Sequence, residues 1–116
     1  KNTELFRGVV VEKMTKSSEH DFYSQIFYEE LRKIVPPGFL LRVEKGIQIQ
    51  GSDLEPDISV IEGSLKDFKH HKPNTARLVV EIALSSLVYD RNKALDYSLA
   101  NVEEYWIVNA EEEIVE

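Results

Sequence analysis

The chain has 116 residues, which is enough for one domain with a buried core and too few for two independent cores. Its composition, 42% hydrophobic and 30% charged, is that of a globular protein, and its net charge of −7 opposes a general attraction to phosphates. The absence of cysteine excludes disulfides and thiolate metal sites and suits a cytoplasmic location. No apolar run approaches the roughly 20 residues of a membrane-spanning helix.

The ends of the sequence lead us to expect one domain over residues 1–116, trimmed at its termini from a longer protein. The chain starts with Lys1 instead of Met, and it stops inside the strand-like segment Ile114-Val115-Glu116. Some contacts at the edge of a sheet are therefore expected to come from residues outside this sequence.

The first part of the chain predicts a strand followed by a helix. A β-branched run predicts a strand over Leu5–Glu12, entered through Gly8. Ser18, with Asp21 three residues later, resembles a capping box, and apolar residues then recur at helical spacing as far as Ile34. We therefore expect a helix that starts at Ser18 and buries one apolar face.

The middle of the chain changes to a period of two. Alternation over Leu41–Gln50 predicts one long strand, or a hairpin bent near Gly46. Residues 51–53 predict a turn. A short apolar strand is predicted over Asp57–Ile61, and Pro56 is tolerated at its entry because no ladder donor is needed there.

The second half alternates strands with helices. The polar segment Glu62–Arg77 predicts a loop with a helical turn, and Leu78–Leu84 is the most hydrophobic stretch and predicts a central strand. A helix is predicted over Asp90–Ala100, a strand over Tyr105–Val108 and a final strand at Ile114. This order predicts an α/β domain with a mixed sheet flanked by helices.

Glu81 is the most informative residue for function, because it interrupts an apolar strand and a carboxylate is costly to bury without a partner. A structural ion pair or a protonated core acid would compensate it. Asp57 begins another apolar strand, and two carboxylates at adjacent strand ends repel each other unless a cation lies between them. Oxygen ligands with open water positions suit Mg²⁺ or Mn²⁺.

Four segments, taken in order, resemble the motifs of the Uma-two family, whose members are described as putative restriction endonucleases of the PD-(D/E)XK nuclease superfamily. The resemblance covers nearly the whole chain and is carried by Glu55–Val60, Leu78–Ile82, Tyr89–Lys93 and Tyr97–Val108. Each motif is weak alone, but their order and spacing together indicate the family. The resemblance implies a restriction endonuclease-like core.

The resemblance also implies roles for particular residues. Asp57 and Glu81 would be catalytic metal ligands, with the backbone carbonyl of Ile82 as a third ligand. The superfamily pattern places a lysine two positions after the glutamate, where this chain has Ala83. The family commonly carries its lysine on the following helix, and Lys93 fits that catalytic role, although the interval between Asp90 and Lys93 is one residue shorter than the usual family spacing.

Other residues have both a functional and an ordinary interpretation. His20, at the start of the first helix, could be a metal ligand, a proton shuttle or a phosphate contact, or simply a partly exposed histidine. Glu12 could add an accessory carboxylate, or be a solvated acid at a strand end. Lys69 and Lys72 lie in a basic run that could contact a nucleic-acid backbone, or be an ordinary basic loop.

The function implied by the resemblance is that of a Mg²⁺-dependent endonuclease that hydrolyses DNA. A duplex cut needs two such sites, so a homodimer is expected. The alternative is a non-catalytic nucleic-acid-binding or scaffold domain with the nuclease fold, which the acidic charge and Ala83 favour. Hydrolysis of another phosphate ester also stays open.

Overall fold

The computed structural model describes residues 3–7, 9–12, 17–49, 51–83, 101–109 and 114–115, with the backbone alone for residues 3, 10–12, 114 and 115. These residues form nine strands, one α-helix and one 3₁₀ turn. In chain order they are β1 (Thr3–Phe6), β2 (Val9–Glu12), α1 (Ser18–Arg32), β3 (Phe39–Val43), β4 (Ile47–Ile49), β5 (Ser52–Leu54), β6 (Ile58–Glu62), the 3₁₀ turn (Leu65–Phe68), β7 (Leu78–Ala83), β8 (Glu104–Asn109) and β9 (Ile114–Val115).

The described strands belong to two sheets. One is antiparallel, in the order β2-β1-β5-β4, and the other is mixed, in the order β3-β6-β7-β8-β9. In the second sheet β7 is antiparallel to β6 and parallel to β8, and all six of its residues are buried. The predicted central strand and the mixed α/β fold class are therefore confirmed.

The five-stranded sheet is covered on both faces. One face packs Ile58, Val80 and Ile82 against Leu31 of α1. The other face packs Val79 against residues of β4 and β5, in a second cluster that includes Ile47 and Leu54. Burial of apolar side chains on both faces explains why β7 reads as a continuous hydrophobic run.

The predicted strand Leu5–Glu12 is wrong in one respect, because the segment is a hairpin. Strands β1 and β2 pair with Phe6 opposite Val9, which leaves a connection of two residues. Arg7 has a φ of 51°, the left-handed conformation that tight hairpin turns require. Gly8, the predicted entry to one strand, lies outside the described residues.

The alternating segment Leu41–Gln50 is divided between the two sheets. Its break lies close to Gly46, as predicted, but β3 and β4 do not pair as a hairpin. Glu44 has a φ of 54°, and this left-handed residue redirects the chain from one sheet to the other. The alternation corresponds to alternate burial only in β4, because in β3 Leu41 packs against one core cluster and Leu40 against the other.

Helix α1 is confirmed, although its N-cap lies one residue before the predicted one. The Ser17 hydroxyl accepts the backbone N–H of His20 at 3.0 Å, which satisfies a donor of the first turn. Leu31 is buried and Phe27 packs against the same core, whereas Phe22 is 59% exposed. The apolar spacing therefore overestimates the buried face of the helix.

The remaining predictions for the second half have mixed outcomes. The loop with a helical turn and the strands at Tyr105 and Ile114 are confirmed, whereas the predicted helix Asp90–Ala100 lies outside the described residues. In the part of the chain that the structure describes, no helix combines the length and apolar character needed to cross a membrane.

Candidate active site

Asp57 and Glu81 come together where β6 begins and β7 ends. Ile58 is opposite Val80 in this antiparallel pair, so the next pair outward is Asp57 and Glu81. The two side chains belong to buried residues, which are 3% and 1% exposed respectively. The predicted convergence of the two acids follows from the antiparallel register of the two strands.

Hydrogen bonds tie each acid to the opposite strand. The backbone N–H of Asp57 donates to Glu81 Oε1 at 3.2 Å, and the backbone N–H of Ile82 donates to Asp57 Oδ2 at 2.7 Å. Just beyond the regular pairing of β6 with β7, these two backbone N–H groups are thus accepted by side-chain oxygens instead of backbone carbonyls. This arrangement holds the Asp57 carboxylate in a defined orientation.

Helix α1 contributes His20 to the same place. Its Nε2 atom lies 3.0 Å from Asp57 Oδ1, and since an ionised carboxylate only accepts, the tautomer with the proton on Nε2 donates to ionised Asp57. Its Nδ1 atom lies 3.6 Å from Asp21 Oδ1. His20 is buried, so the interpretation of a partly exposed histidine is wrong and the histidine contacts a candidate metal ligand directly.

The donor set suits a hard divalent cation. The N–H of Ile82 points towards Asp57, and since a strand residue directs its N–H and C=O to the same side, its carbonyl faces that side too. Among the described residues no three histidine or acidic side chains form a metal-binding group. Two carboxylates with a carbonyl and water are nevertheless a usual environment for Mg²⁺, which keeps several of its waters.

Three further site predictions have different outcomes. Ala83 is 2% exposed at the end of β7, so the position of the superfamily lysine is filled by a buried methyl group. Lys93 lies outside the described residues. Glu12 is the last residue of β2, and its side chain also lies outside the described part of the chain.

The two lysines predicted to contact nucleic acid differ from each other. The ammonium of Lys72 lies 2.8 Å from both carboxylate oxygens of Asp53, so its charge is compensated within the protein. Lys69 is exposed at the end of the 3₁₀ turn, and it has no ion pair with a described acid. An external anion would therefore be attracted more strongly to Lys69 than to Lys72.

Sequence reasoning missed Glu4, which is 2% exposed. Its Oε2 atom accepts the backbone N–H of Glu55 at 2.6 Å, two residues before Asp57. A carboxylate from the four-stranded sheet thus holds the start of the Glu55-Pro56-Asp57 segment, and Glu81 of the five-stranded sheet holds its end. Period two gave one signal, since it places Glu4 on the same strand face as Phe6.

Comparison with known proteins identifies the family. The family model named Uma2, with the description "Putative restriction endonuclease", matches residues 1–116. The chain belongs to the Uma2 family. This confirms the family resemblance seen in the sequence.

A solved structure extends this Uma2 assignment to the fold. A 1.96 Å crystal structure from Anabaena variabilis, described as a putative nuclease belonging to DUF820, matches with a TM-score of 0.84. Identity is 17%, and the match covers 97% of this chain and 69% of that chain. A search of curated proteins gave no match. At this identity the likeness shows the fold, and the restriction endonuclease-like core is confirmed.

Proposed function

We propose that this Uma2 chain is a metal-dependent endonuclease that hydrolyses DNA phosphodiester bonds, with Mg²⁺ or Mn²⁺ held by Asp57 and Glu81. The observation that carries the proposal is the pair of buried acids facing each other across β6 and β7. Two ionised acids opposite each other in a sheet are unfavourable neighbours, and a divalent cation would offset both charges.

The residues around the pair have roles that follow from their contacts. When bound, a divalent ion would polarise the phosphate and lower the pKa of coordinated water. His20 donates to one oxygen of Asp57 and the Ile82 amide donates to the other, so both act as positioning groups for that carboxylate. The carbonyl of Ile82 is the third protein ligand in this proposal.

Lys93 is the proposed source of positive charge near the reacting phosphate. The buried methyl of Ala83 leaves no amine at the usual superfamily position, so the charge must come from another residue. An ammonium group near the cleaved bond stabilises the negative charge that develops in the transition state. Lys93, on the helix predicted over residues 90–100, is our candidate.

The direct test is cleavage of supercoiled plasmid and of short single-stranded and duplex DNA with Mg²⁺ or Mn²⁺. We expect the wild type to cleave and Glu81→Ala to be inactive. The matched control is Glu62→Ala, which removes an exposed acid from the far end of β6, the strand that Asp57 precedes. Circular dichroism would check that each variant is folded.

The outcomes separate the proposal from its rivals. Loss of cleavage in Glu81→Ala but not in Glu62→Ala supports the metal site. A folded wild type that binds Mn²⁺ yet cleaves no DNA would refute the endonuclease assignment, and competition with nucleotides would then test for another phosphate ester as substrate. Cleavage that survives in Glu81→Ala would indicate a contaminating nuclease or a different site.

The second candidate is a non-catalytic nucleic-acid-binding domain, which is favoured by the buried Ala83 at the lysine position. It predicts DNA binding without turnover under all metal conditions.

A homodimer is also part of the endonuclease proposal, because cutting both strands of a duplex requires two sites. Sedimentation of the protein with and without duplex DNA would measure the oligomeric state.

A further inference from the structure

Apart from Arg7, which lies over the Phe6 ring, the described lysines and arginines fall into two groups. In the first group each positive side chain forms an ion pair with an acid of the protein, and these pairs are Arg32 with Glu29, Lys33 with Glu30, Lys72 with Asp53, and Arg77 with Glu103. Such surface pairs leave little net charge to attract an external anion.

The second group consists of Arg42, Lys45, Lys66 and Lys69, which form no ion pair with an acid among the described residues. Arg42 and Lys45 line a cleft of about 570 Å³. Lys66 lies on the 3₁₀ turn Leu65–Phe68 and Lys69 follows it directly. Leu65 and Phe68 of that turn line the same cleft. Two of these cations thus line one groove and the other two belong to or follow a turn that forms part of its wall, although the whole chain carries a net charge of −7.

We call this cleft the basic groove. It runs beside β3, the edge strand of the five-stranded sheet, between α1 and the 3₁₀ turn. Helix α1 contributes Ser24, Gln25 and Tyr28 to its wall. These side chains supply hydrogen-bonding groups and an aromatic ring, which suit a polar ligand that also carries flat apolar surface.

Among the described residues, Arg42 carries the most buried unpaired positive charge in the basic groove, so a bound anion would stabilise it most. It is half-buried, and one of its guanidinium nitrogens donates to the carbonyl of Gly46 at 3.2 Å. Burial lowers the pKa of Arg42 from its ordinary value, because removal from water disfavours the charged form. A guanidinium has five donors, so an anion could bind beside the existing hydrogen bond.

The basic groove leads to the acidic pair. Val43, at the end of β3, lies opposite Ile58, the residue after Asp57. The next residue, Glu44, donates its backbone N–H to the carbonyl of Asp57 at 3.1 Å. On the helix side, Ser24 lies one turn after His20. A nucleic-acid strand in the groove would therefore run along β3 towards the end of β6 that Asp57 precedes.

We propose that the basic groove binds the phosphate backbone of a single nucleic-acid strand and guides that strand to Asp57 and Glu81. Cleavage of the bound strand rests on the proposed nuclease function, but binding of the strand in the groove requires neither metal nor turnover. The gathering of uncompensated cations and the position beside the acidic pair favour a polyphosphate chain over an apolar peptide. An acidic peptide added to the edge of β3, and a second copy of the chain, are rival occupants.

The test measures fluorescence anisotropy of a labelled single-stranded oligonucleotide at several salt concentrations, in EDTA so that no cleavage occurs. We expect the double variant Arg42→Met/Lys45→Gln to bind roughly tenfold or more weakly at about 0.1 M salt. Its slope of log affinity against log salt should fall by about 1.4, since each lost phosphate contact contributes about 0.7 for a single strand. Met keeps much of the apolar stem of Arg42 in place.

The controls separate charge in the groove from charge elsewhere and from misfolding. Lys33→Gln removes a paired cation at the end of α1 and should leave the salt slope unchanged. Arg42→Lys should retain most of the binding. Arg42 is half-buried, so its replacement could disturb the core. Lys45 and Lys69 are exposed, and the single variants Lys45→Gln and Lys69→Gln avoid this problem. Each should lower the slope of log affinity against log salt by about 0.7.

Each result has a distinct meaning. No binding by the wild type, or equal slopes for the groove variants and Lys33→Gln, would overturn the proposal. A change of oligomeric state in the groove variants, measured by sedimentation, with nucleic-acid binding intact would assign the groove to a second copy. Competition by an acidic peptide without a salt-dependent nucleic-acid complex would assign it to a peptide. Groove-dependent binding without cleavage would refute only the nuclease function, and cleavage by groove variants at the wild-type rate would refute only the groove.

Discussion

Replacing Asp57 by Asn and by Ala should separate the structural role of this carboxylate from its proposed metal-binding role. Asn keeps a carbonyl oxygen that can accept the Ile82 N–H, and its amide NH₂ can then donate to His20 Nε2 if the imidazole changes tautomer. The fold should therefore tolerate Asn. Ala removes both acceptors and leaves a buried amide N–H without a partner.

The contacts of Asp57 set the expected magnitudes. Hydrogen bonds to charged groups contribute about 1.5–3 kcal/mol each, so loss of the two described bonds in Asp57→Ala should lower the free energy of unfolding by about 3–6 kcal/mol. Asp57→Asn should cost about 1 kcal/mol or less, because removing one negative charge also relieves repulsion from Glu81.

The assay is urea unfolding of the three proteins, first in EDTA and then with Mn²⁺. A ligand at 100 times its Kd stabilises the folded state by about 2.7 kcal/mol. The wild type should gain this stability, whereas Asp57→Asn should gain none because it lacks one carboxylate ligand. Equal destabilisation by Asn and Ala in EDTA, or an equal gain from Mn²⁺ in wild type and Asn, would refute the reasoning.

Three further predictions follow from the same geometry. Glu4→Leu should lower the free energy of unfolding by about 2 kcal/mol in urea, since it deprives the Glu55 amide of its carboxylate acceptor. Glu4→Gln keeps an acceptor oxygen and should lose at most half as much. Equal losses of stability in the two variants would contradict this role. His20→Leu should weaken Mn²⁺ binding about tenfold in calorimetry, because groups that orient a metal ligand typically contribute 10–100-fold, and His20→Gln should be milder. Lys93→Ala should lower turnover by about 10²-fold at nearly unchanged metal affinity, and full activity would remove Lys93 from the mechanism.

The central part of the fold could be predicted because its sequence pattern is local. Strand β7 is buried on both faces, so its hydrophobic run indicates a strand at the centre of a sheet. Asp57 and Glu81 were identifiable for the related reason that each acid adjoins or interrupts such a run. The antiparallel register that unites them needed the structure, since the family resemblance implied only that both acids are metal ligands.

The rest of the fold depends on long-range pairing that no local pattern encodes. Strands β3 and β4 have the same alternation, but one pairs with β6 and the other with β5. Glu4 looked like part of a polar N-terminal stretch, and its burial follows from the pairing of β1 with β5, in which Leu5 lies opposite Asp53. Residue spacing within one segment cannot report such partners.

The way in which Asp57 is held has a consequence for folding order. Its segment is bound by His20, 37 residues away, by Glu81, 24 residues away, and by Glu4, whose contact with Glu55 spans 51 residues. Contacts of such wide sequence separation carry a large loop-closure cost and tend to form late. During synthesis, a chain that ends before β7 has the first carboxylate but not the second. The pair of buried acids should therefore be assembled only when folding is nearly complete.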